Sequence, residues 1–359
     1  MSRYFAFVSA VALFALLHCS PASQAPKGPS QEELQQAFTA VQEEQLKPTI
    51  WYTGDTTITN EDRLDLFEKH VTGVGGAYIG VGSTQNLTLA AWARSEWIWL
   101  MDFTMIVVRA NKIQTAFIKR AATPAEFREL WKKASREKAE AIINEEFAAD
   151  PDLKEIVKAW RTCQPYQDKR FRTDDKLAEK YGFKGWLYDQ AHYDHIRGLA
   201  RKNRIRPIKG DLRGPTTVLS VAEQAGRMQV PLRIVYYSNA EEYFAYGDQY
   251  RKNWTTVPVD DKSLIVRTIS VNKGRFPWSP GSSHSTDRGF HYNVMSAELY
   301  QEWLTKGRKG LRSRDILRDG QTDRENGFTL VTHRPGKTDM APEYARAAAA
   351  AESATTGTN

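Results

Sequence analysis

The stretch that decides the fold, residues 75–102, reads GGAYIGVGSTQNLTLAAWARSEWIWLMD. Its apolar run Ala77–Gly80 predicts a buried strand, and the closely following Gly82 predicts a tight turn into a helix. A second apolar run, Ile98–Met101, predicts a neighbouring strand that ends at Asp102. Glycines let the backbone approach a bound molecule closely, and the first N–H groups of the helix point at the same place. We therefore expect a ligand pocket at the carboxyl ends of two parallel strands.

Helices and strands alternate along the rest of the chain. Residues 123–203 have the helical period, with Thr123 as N-cap and Pro124 at the first helical position. The further predicted strands are 205–212, 231–238, 263–270, 290–295 and 328–332, and the further predicted helices are 31–45, 60–71, 216–228, 241–253 and 297–304. The apolar run Ile106–Val108 suggests that the second strand continues or bends after Asp102. This alternation predicts an α/β fold with a mostly parallel sheet covered on both faces.

Polar residues stand at the end of each predicted strand and are candidates for a ligand site. An acid such as Asp102 can accept hydrogen bonds from a ribose diol. Gln85 can bind a polar group of the ligand, and so can Asn86, which could equally cap the helix. Asp102 could also be a surface acid, and Asp211 could simply pair with Lys209 and Arg213 beside it.

The order of these signals resembles the class I S-adenosylmethionine-dependent methyltransferase fold. The glycine loop YIGVGS at 78–83, GDLRG at 210–214 and IVYYSNAEEYF at 234–244 are similar to an uncharacterised bacterial lipoprotein family with that fold. The resemblance implies a Rossmann-like sheet with a helical insertion between its second and third strands, and S-adenosylmethionine as cofactor. The cofactor-binding residues that it implies are Gly80, Gly82, Gln85, Asn86, Asp102, Asp211, Leu212, Ser238 and Asn239.

Three departures set this chain apart from that pattern. Gln85 stands where nucleotide folds often keep a third glycine. The fourth strand lacks the Asp/Asn-Pro-Pro-Tyr pattern of amino-group methylases, and the excursion between the second and third strands is much longer than the fold requires.

Ser238, Asn239 and Glu242 can shape a substrate or cap a helix that starts near Ala240. No catalytic residue is assigned, because methyl transfer needs mainly the positioning of its two reactants.

The N-terminus has the pattern of an export signal. Arg3 precedes an apolar run, Tyr4–Leu17, of a length that suits a signal peptide and is short for a membrane span. Leu16-Leu17-His18-Cys19 resembles a lipoprotein signal, in which Cys19 would carry lipid; cleavage nearby and a retained anchor are the alternatives. The predicted organisation is a signal peptide at 1–19, a linker at 20–33, one methyltransferase-like domain at 34–335 with its insertion at 123–203, and a disordered tail at 336–359. We expect a membrane-anchored lipoprotein of the bacterial cell envelope.

Composition argues against several other functions. The net charge is +7, but the basic residues are scattered and form no stripe with interleaved aromatics, so we expect no nucleic-acid partner. His192 and His195 lie one helical turn apart without a third ligand nearby, and we expect no metal site. Cys163 is expected to be a small buried hydrophobe. His284 and His291 flank a Gly/Pro/Ser loop that could be a lid or an ordinary surface loop.

Two functions agree with these observations. An exported lipoprotein would keep a nucleotide-type pocket for binding a small molecule without catalysis, since S-adenosylmethionine is a cytoplasmic metabolite. The alternative is an S-adenosylmethionine-dependent methyltransferase of unknown acceptor. Binding without catalysis is the preferred hypothesis, because a fold alone does not establish a function.

Overall fold

A mostly parallel sheet carries the fold in the computed structural model, which describes residues 28–46, 54–182, 184–270, 289–318 and 320–356. Within these residues the sheet has eight strands in the order β3-β2-β1-β4-β5-β6-β8-β7. They are β1 (Ala77–Val81), β2 (Trp97–Asp102), β3 (Ile205–Lys209), β4 (Leu232–Ser238), β5 (Leu264–Ser270), β6 (Phe290–Ser296), β7 (Gln321–Asp323) and β8 (Phe328–Val331). The first five run parallel to one another, β6 is antiparallel to β5, and β8 runs parallel to β6. The predicted α/β class is confirmed, while the far edge of the sheet is mixed.

Helices pack on both faces of this sheet. They are α1 (Gln31–Thr39), α2 (Asp65–Val71), α3 (Gln85–Ala93), α4 (Met105–Arg120), α5 (Pro124–Glu129), α6 (Arg136–Glu146), α7 (Leu153–Tyr181), α8 (Gln190–Arg201), α9 (Thr217–Met228), α10 (Asp248–Thr256), α11 (Ala297–Lys306), α12 (Ser313–Ile316) and α13 (Pro342–Thr356). Short 3₁₀ turns lie at Gly54–Thr57, Lys133–Ser135 and Ala240–Tyr243. The predicted N-cap of α5 is confirmed, since the hydroxyl of Thr123 accepts from the N–H of Glu126.

Alternation along the strands divides the core into two layers. Tyr78 and Tyr236 point to the face covered by α2, α3, α4 and the helices up to α8, which we call the insertion face. Ile79 and Tyr237 point to the opposite face, covered by α1, α9, α10 and α11. Every residue of β2 is buried, as a central parallel strand requires. Trp97, Trp99 and Trp92 are all core residues.

Two helix predictions near the pocket need correction. The helix predicted from Asn60 begins at Asp65, because tertiary contacts hold the preceding residues in another conformation: Glu61 is buried, and the N–H of Arg63 donates to the Tyr292 hydroxyl. The apolar run after Asp102 begins α4 and does not extend β2. Asp102 turns the chain there, since its carboxylate accepts from the N–H of Thr104, one residue before the helix.

The helical insertion is longer than predicted. It starts with α4, so helices fill most of the chain between β2 and β3 rather than residues 123–203 alone. Within it, α7 extends to Tyr181 and a separate α8 starts at Gln190. β3 ends at Lys209 instead of Leu212, and the short β7 had no sequence signal.

The ends of the chain differ from the prediction in two places. α1 begins at Gln31, as predicted for the helix 31–45, so the linker ends before residue 33; Ser30 forms a capping box with Glu33, and the helix ends early, at Thr39. α13 lies in the segment predicted to be a disordered tail, and its alanine-rich sequence has the highest intrinsic helix propensity of any composition. The predicted signal peptide and Cys19 lie outside the described residues. Within the described residues no helix is long and apolar enough to cross a membrane.

Candidate functional site

The turn after β1 can be made only by glycines. A Cβ on Gly80 would lie 2.1 Å from Asn86 Oδ1, and Gly82 has φ +90°, which L side chains rarely adopt. Asn86 is fully buried and ties the turn together: its amide donates to the carbonyl oxygens of Val81 (3.0 Å) and Ser83 (2.9 Å). Asn86 therefore stabilises the turn, but it does not cap α3, whose N-cap position is Thr84.

The side chain of Gln85 also stabilises the turn. Its Oε1 accepts from the N–H of Ser83 at 3.2 Å, and Gln85 is 6 % exposed. From α4, Asn111 donates to the carbonyl of Gly82 at 2.9 Å. The glycine turn is thus fixed from both sides, so its remaining free surface faces the end of the sheet.

Asp102 and the glycine turn meet at the carboxyl ends of β1 and β2. Asp102 Oδ2 accepts from the N–H of Gly82 at 3.1 Å, and Oδ1 accepts from the N–H of Thr104 at 2.8 Å. Burial raises the pKa of Asp102 to about 6, although these N–H donors oppose the rise. The hydroxyl of Thr104 and the N–H of Phe103 also lower its pKa, so neutral donors of the chain surround this carboxylate. The alternative of a surface acid is excluded, whereas the adjacent Phe103 is 42 % exposed.

Asp211 lies at the same edge but has the pairing that was its alternative. Its carboxylate contacts Arg213 at 3.2 Å and is one-third exposed, while Leu212 is buried in the core of the opposite face. The edge is nevertheless continuous, since the N–H of Gly210 donates to the carbonyl of Asp102 at 3.0 Å. Asp211 and Leu212 thus lie beside the candidate pocket and are occupied by structural contacts.

Glu44 fills the loop that precedes α9. One carboxylate oxygen accepts from the N–H groups of Thr216 (3.0 Å) and Thr217 (3.1 Å), and the other from the N–H of Asp211 (2.8 Å). The first N–H groups of a helix favour an anion, and here the chain supplies its own. Sequence reasoning missed Glu44, because nothing in the local pattern indicates which distant acid fills such a loop.

The carboxyl end of β4 has an irregular backbone. Ser238 is in the left-handed region with φ 51°, and the pairing with β5 shifts register there. Such strained positions concentrate at functional sites. Asn239 donates to Glu242 Oε1 at 3.0 Å, and Glu242 also accepts from the N–H of Ser270 at 2.7 Å. Ser238 and Asn239 are therefore at the predicted edge, but each is bonded to an acid of the chain.

Glu61 is the acid that Ser238 contacts, and sequence reasoning missed it. It is fully buried and accepts hydrogen bonds from the hydroxyls of Ser238 (2.7 Å), Tyr236 and Thr268. Burial raises its pKa, while these hydroxyl donors partly oppose the rise. The sequence predicted a helix over residues 60–71, and the first turn of such a helix would have left Glu61 in solvent. Glu61 was therefore not recognised as a candidate.

A second buried acid lies on the opposite face. Glu241 contacts Arg267 at 3.0 Å, and both side chains are essentially unexposed. Glu241 also accepts from the hydroxyls of Tyr246, Tyr250 and Tyr300. We call these five residues the Glu241 cluster. Its tyrosines belong to the core layer opposite the insertion face, and Arg267 reaches them from β5.

The remaining candidates have ordinary structural roles. His195 contacts the carbonyl of Ser95 at 2.9 Å, and His291 contacts the hydroxyl of Thr329 at 2.7 Å inside the sheet, so His291 is not part of a lid. Cys163 is buried as expected, and burial raises its pKa to about 12. His284 lies outside the described residues. Among the described residues no three His, Cys, Asp or Glu side chains are grouped to hold a metal ion.

A family model covers most of this architecture. Residues 56–332, well over half of the chain, match a family described as a domain of unknown function, DUF7790. The chain belongs to this family. The DUF7790 region includes Glu61, Asp102, Asp211 and Glu241, whereas Glu44 precedes it. No curated protein matches the chain.

Proposed function

We propose that this DUF7790 protein binds a nucleoside-type small molecule of the S-adenosylmethionine kind at the glycine turn, and that it binds without catalysing a reaction. The observation that carries the proposal is the contact of Asp102 with the N–H of Gly82 at the carboxyl edge of the sheet. The order β3-β2-β1-β4-β5 reverses between β1 and β4. Ligands of open α/β sheets bind in the crevice at such a reversal.

The chemistry of this crevice suits a ribose and a base. Asp102 places a carboxylate at this edge that a ribose diol can bond to, and Phe103 offers an exposed aromatic ring immediately beside it. The same features, with the fixed glycine turn, support a Rossmann-like sheet of the class I methyltransferase type as the finer description of the fold. Beyond β5 the sheet continues with β6, which is antiparallel to β5, and with β8, which is parallel to β6.

Binding without catalysis follows from the state of the other polar groups at the edge. Ser238 is bonded to Glu61, and Asn239 and Ser270 are bonded to Glu242. A general base must reach the proton that it removes. These groups reach one another instead, which favours a pocket that holds a ligand over one that transforms it.

One observation favours the alternative, an S-adenosylmethionine-dependent methyltransferase. Glu61 is a carboxyl group with a raised pKa at the end of β4 and β5, and such perturbed groups concentrate at catalytic sites. Methyl transfer from labelled S-adenosylmethionine to an extract, lost in Glu61→Gln, is the result that would support catalysis over binding.

Calorimetric titration of the purified protein with S-adenosylmethionine and with NAD tests the proposal. We expect saturable heat with S-adenosylmethionine only, and Asp102→Ala should weaken that binding tenfold or more, because a lost pair of charge-assisted hydrogen bonds exceeds 1.4 kcal/mol. Asp211→Ala is the matched control, since its carboxylate pairs with Arg213, and it should change affinity less than twofold. Flat titrations with both ligands would end the proposal.

We also propose that the protein is exported and anchored by lipid at Cys19 in the bacterial cell envelope. The support is the sequence pattern of residues 3–19. Cell fractionation after feeding labelled fatty acid should find label in the membrane fraction, and Cys19→Ala should abolish it. Unlabelled protein confined to the cytoplasm would contradict the anchor and remove the main argument against a cytoplasmic cofactor.

A further inference from the structure

A small cavity lies between the first turn of α3 and the helical insertion. Thr84 and Thr88 line it from the α3 side, and Arg170, Phe171, Asp174 and Trp186 line it from the insertion. We call it the insertion pocket. Its volume is about 20 Å³, which is room for one water molecule or one hydroxyl group. It lies on the insertion face; Gln85 is part of its lining, whereas Asp102 is not.

The two threonine hydroxyls in this pocket lack protein partners. Thr84 is 7 % exposed and Thr88 is 5 % exposed. Neither hydroxyl makes a hydrogen bond to any residue that the structure describes, and Thr84 does not cap α3 with its side chain. Both residues line the cavity, so their hydroxyls are available to a guest there. Each hydrogen bond that a polar guest makes with them contributes about 0.5–1.5 kcal/mol.

The charges around the pocket exclude an ionic guest. Arg170 Nε lies 2.7 Å from Asp174 Oδ1, and its NH1 lies 2.8 Å from Asp62 Oδ1. A cation would meet Arg170 and the positive end of α3, while an anion would meet Asp174. A neutral group that both donates and accepts avoids both repulsions. It can also satisfy a threonine hydroxyl, which is itself donor and acceptor.

The walls of the pocket suit a carbon skeleton. Phe171 is 4 % exposed and Trp186 is 2 % exposed, so the rings form a dry surface, and Trp186 is stacked on Tyr193. The pocket reaches solvent at Asp174, whose side chain is 19 % exposed. A molecule can therefore insert one polar group and leave the rest of its skeleton at the opening.

From this arrangement we infer that the insertion pocket binds a hydroxyl group of a small polyol. The hydroxyl occupies the single-group volume and bonds to Thr84 and Thr88, while its carbon chain contacts Phe171 and Trp186. The inference goes beyond the crevice at Asp102 and gives the helical insertion a role of its own, since α7 and the 184–188 loop supply most of the wall.

Protein NMR that follows the threonine methyl signals tests this inference. The full chain is titrated with glycerol and ribose, and in parallel with ethylammonium and acetate. We expect saturable shifts of the Thr84 and Thr88 methyl signals with the two polyols and none with the two ions. Thr88→Val, which keeps the shape and removes the hydroxyl, should weaken polyol binding about tenfold, the equivalent of about 1.4 kcal/mol.

Thr84→Val is the second variant, because its hydroxyl has no capping role and its loss should leave the fold intact. Thr115→Val is the matched control: Thr115 is buried in α4 and bonds to the Asn111 carbonyl, so it should leave polyol affinity unchanged. Asp102→Ala should also leave it unchanged, which separates this site from the crevice. No saturation by either polyol, saturation by an ion instead, or equal binding by both threonine variants and the unaltered protein would overturn the inference.

Discussion

The buried acids on the two sides of the sheet are neutralised in different ways. Asp102 and Glu61, which we call the rim acids, are on the insertion face. The hydrogen bonds to their carboxylates come from backbone N–H groups and hydroxyls, and the charge of Arg170 acts on Glu61 without a direct side-chain contact. Glu241, on the opposite face, has the guanidinium of Arg267 in direct contact. An acid with a fixed counter-charge is a structural element. Acids held by neutral donors keep a raised pKa, and here both lie at the edge where ligands of such sheets bind.

The largest effect is expected from removing the counter-charge of the Glu241 cluster. Arg267→Leu leaves a buried carboxylate without its cation and should lower the free energy of unfolding by about 3–5 kcal/mol. Urea denaturation measures it. The double variant Glu241→Gln/Arg267→Leu should recover part of that loss, because no unpaired charge remains. A loss below about 1 kcal/mol in the single variant would mean that the cation contributes little, and that Glu241 and the rim acids do not differ in how they are neutralised.

Asp102→Asn should change the pH dependence of stability. Folded Asp102 keeps its proton up to about pH 6, while the unfolded carboxyl ionises near its ordinary pKa of 3.8. Its contribution is therefore complete below pH 4 and is lost as pH rises to 6, on the order of 3 kcal/mol.

Urea denaturation of both proteins at a series of pH values between 4 and 7 checks this. The difference between the two stability curves should change by that amount over the window. Burial also raises the pKa of Asp174 to about 6, but Asp174 titrates in both proteins and cancels from the difference. Parallel curves would contradict the raised pKa of Asp102.

Glu61→Gln should have a smaller effect with the same sign in pH. The amide keeps hydrogen bonds to the hydroxyls of Tyr236, Ser238 and Thr268, so at acidic pH the free energy of unfolding should fall by only about 1 kcal/mol. Because the pKa of Glu61 is raised, the unaltered protein loses stability as pH rises above the ordinary carboxyl pKa, and the variant should not show that loss. Thermal unfolding across pH measures both, and a variant that is destabilised equally at every pH would argue against a raised pKa.

The smallest effect is expected from Tyr250→Phe. Its hydroxyl bonds to Glu241 at 2.7 Å, but Tyr246, Tyr300 and Arg267 keep the acid satisfied. We expect a loss of about 0.5–1 kcal/mol in the free energy of unfolding. A loss as large as that of Arg267→Leu would mean that hydroxyls, and not the guanidinium, stabilise the Glu241 cluster.

Sequence patterns predicted the parallel half of the sheet because each of its strands has a recognisable local pattern. β1, β2 and β4 are apolar runs bounded by turns, and Gly82 sits where only glycine fits. The contact between Gly82 and Asp102 follows from the adjacency of two parallel strands, so the first half of the candidate site could be predicted. The start of α4 could not be predicted, since an apolar run after Asp102 agrees equally with a longer β2 and with a new helix.

The positions of Glu44 and Glu61 at the carboxyl edge of the sheet could not be predicted, because contacts with residues distant in sequence determine them. Glu61 meets Tyr236 and Thr268, which are 175 and 207 residues away. The local pattern predicted a helix from residue 60, yet contacts with the core override that preference, and α2 begins at Asp65. α13 differs for the opposite reason: its alanines favour a helix locally, while the low complexity of the segment suggested disorder.

The hydrogen bonds of Glu44 join two segments that are synthesised at different times. The N–H of Glu44 donates to the hydroxyl of Thr217, 173 residues further along the chain. Contacts between such distant residues are slow to form, because the entropy of closing a long loop opposes them. The segment around Glu44 leaves the ribosome before its binding partners exist, since Thr217 is made 173 residues later. The amino-terminal region is therefore translated early but can complete these contacts only after the start of α9 has been made.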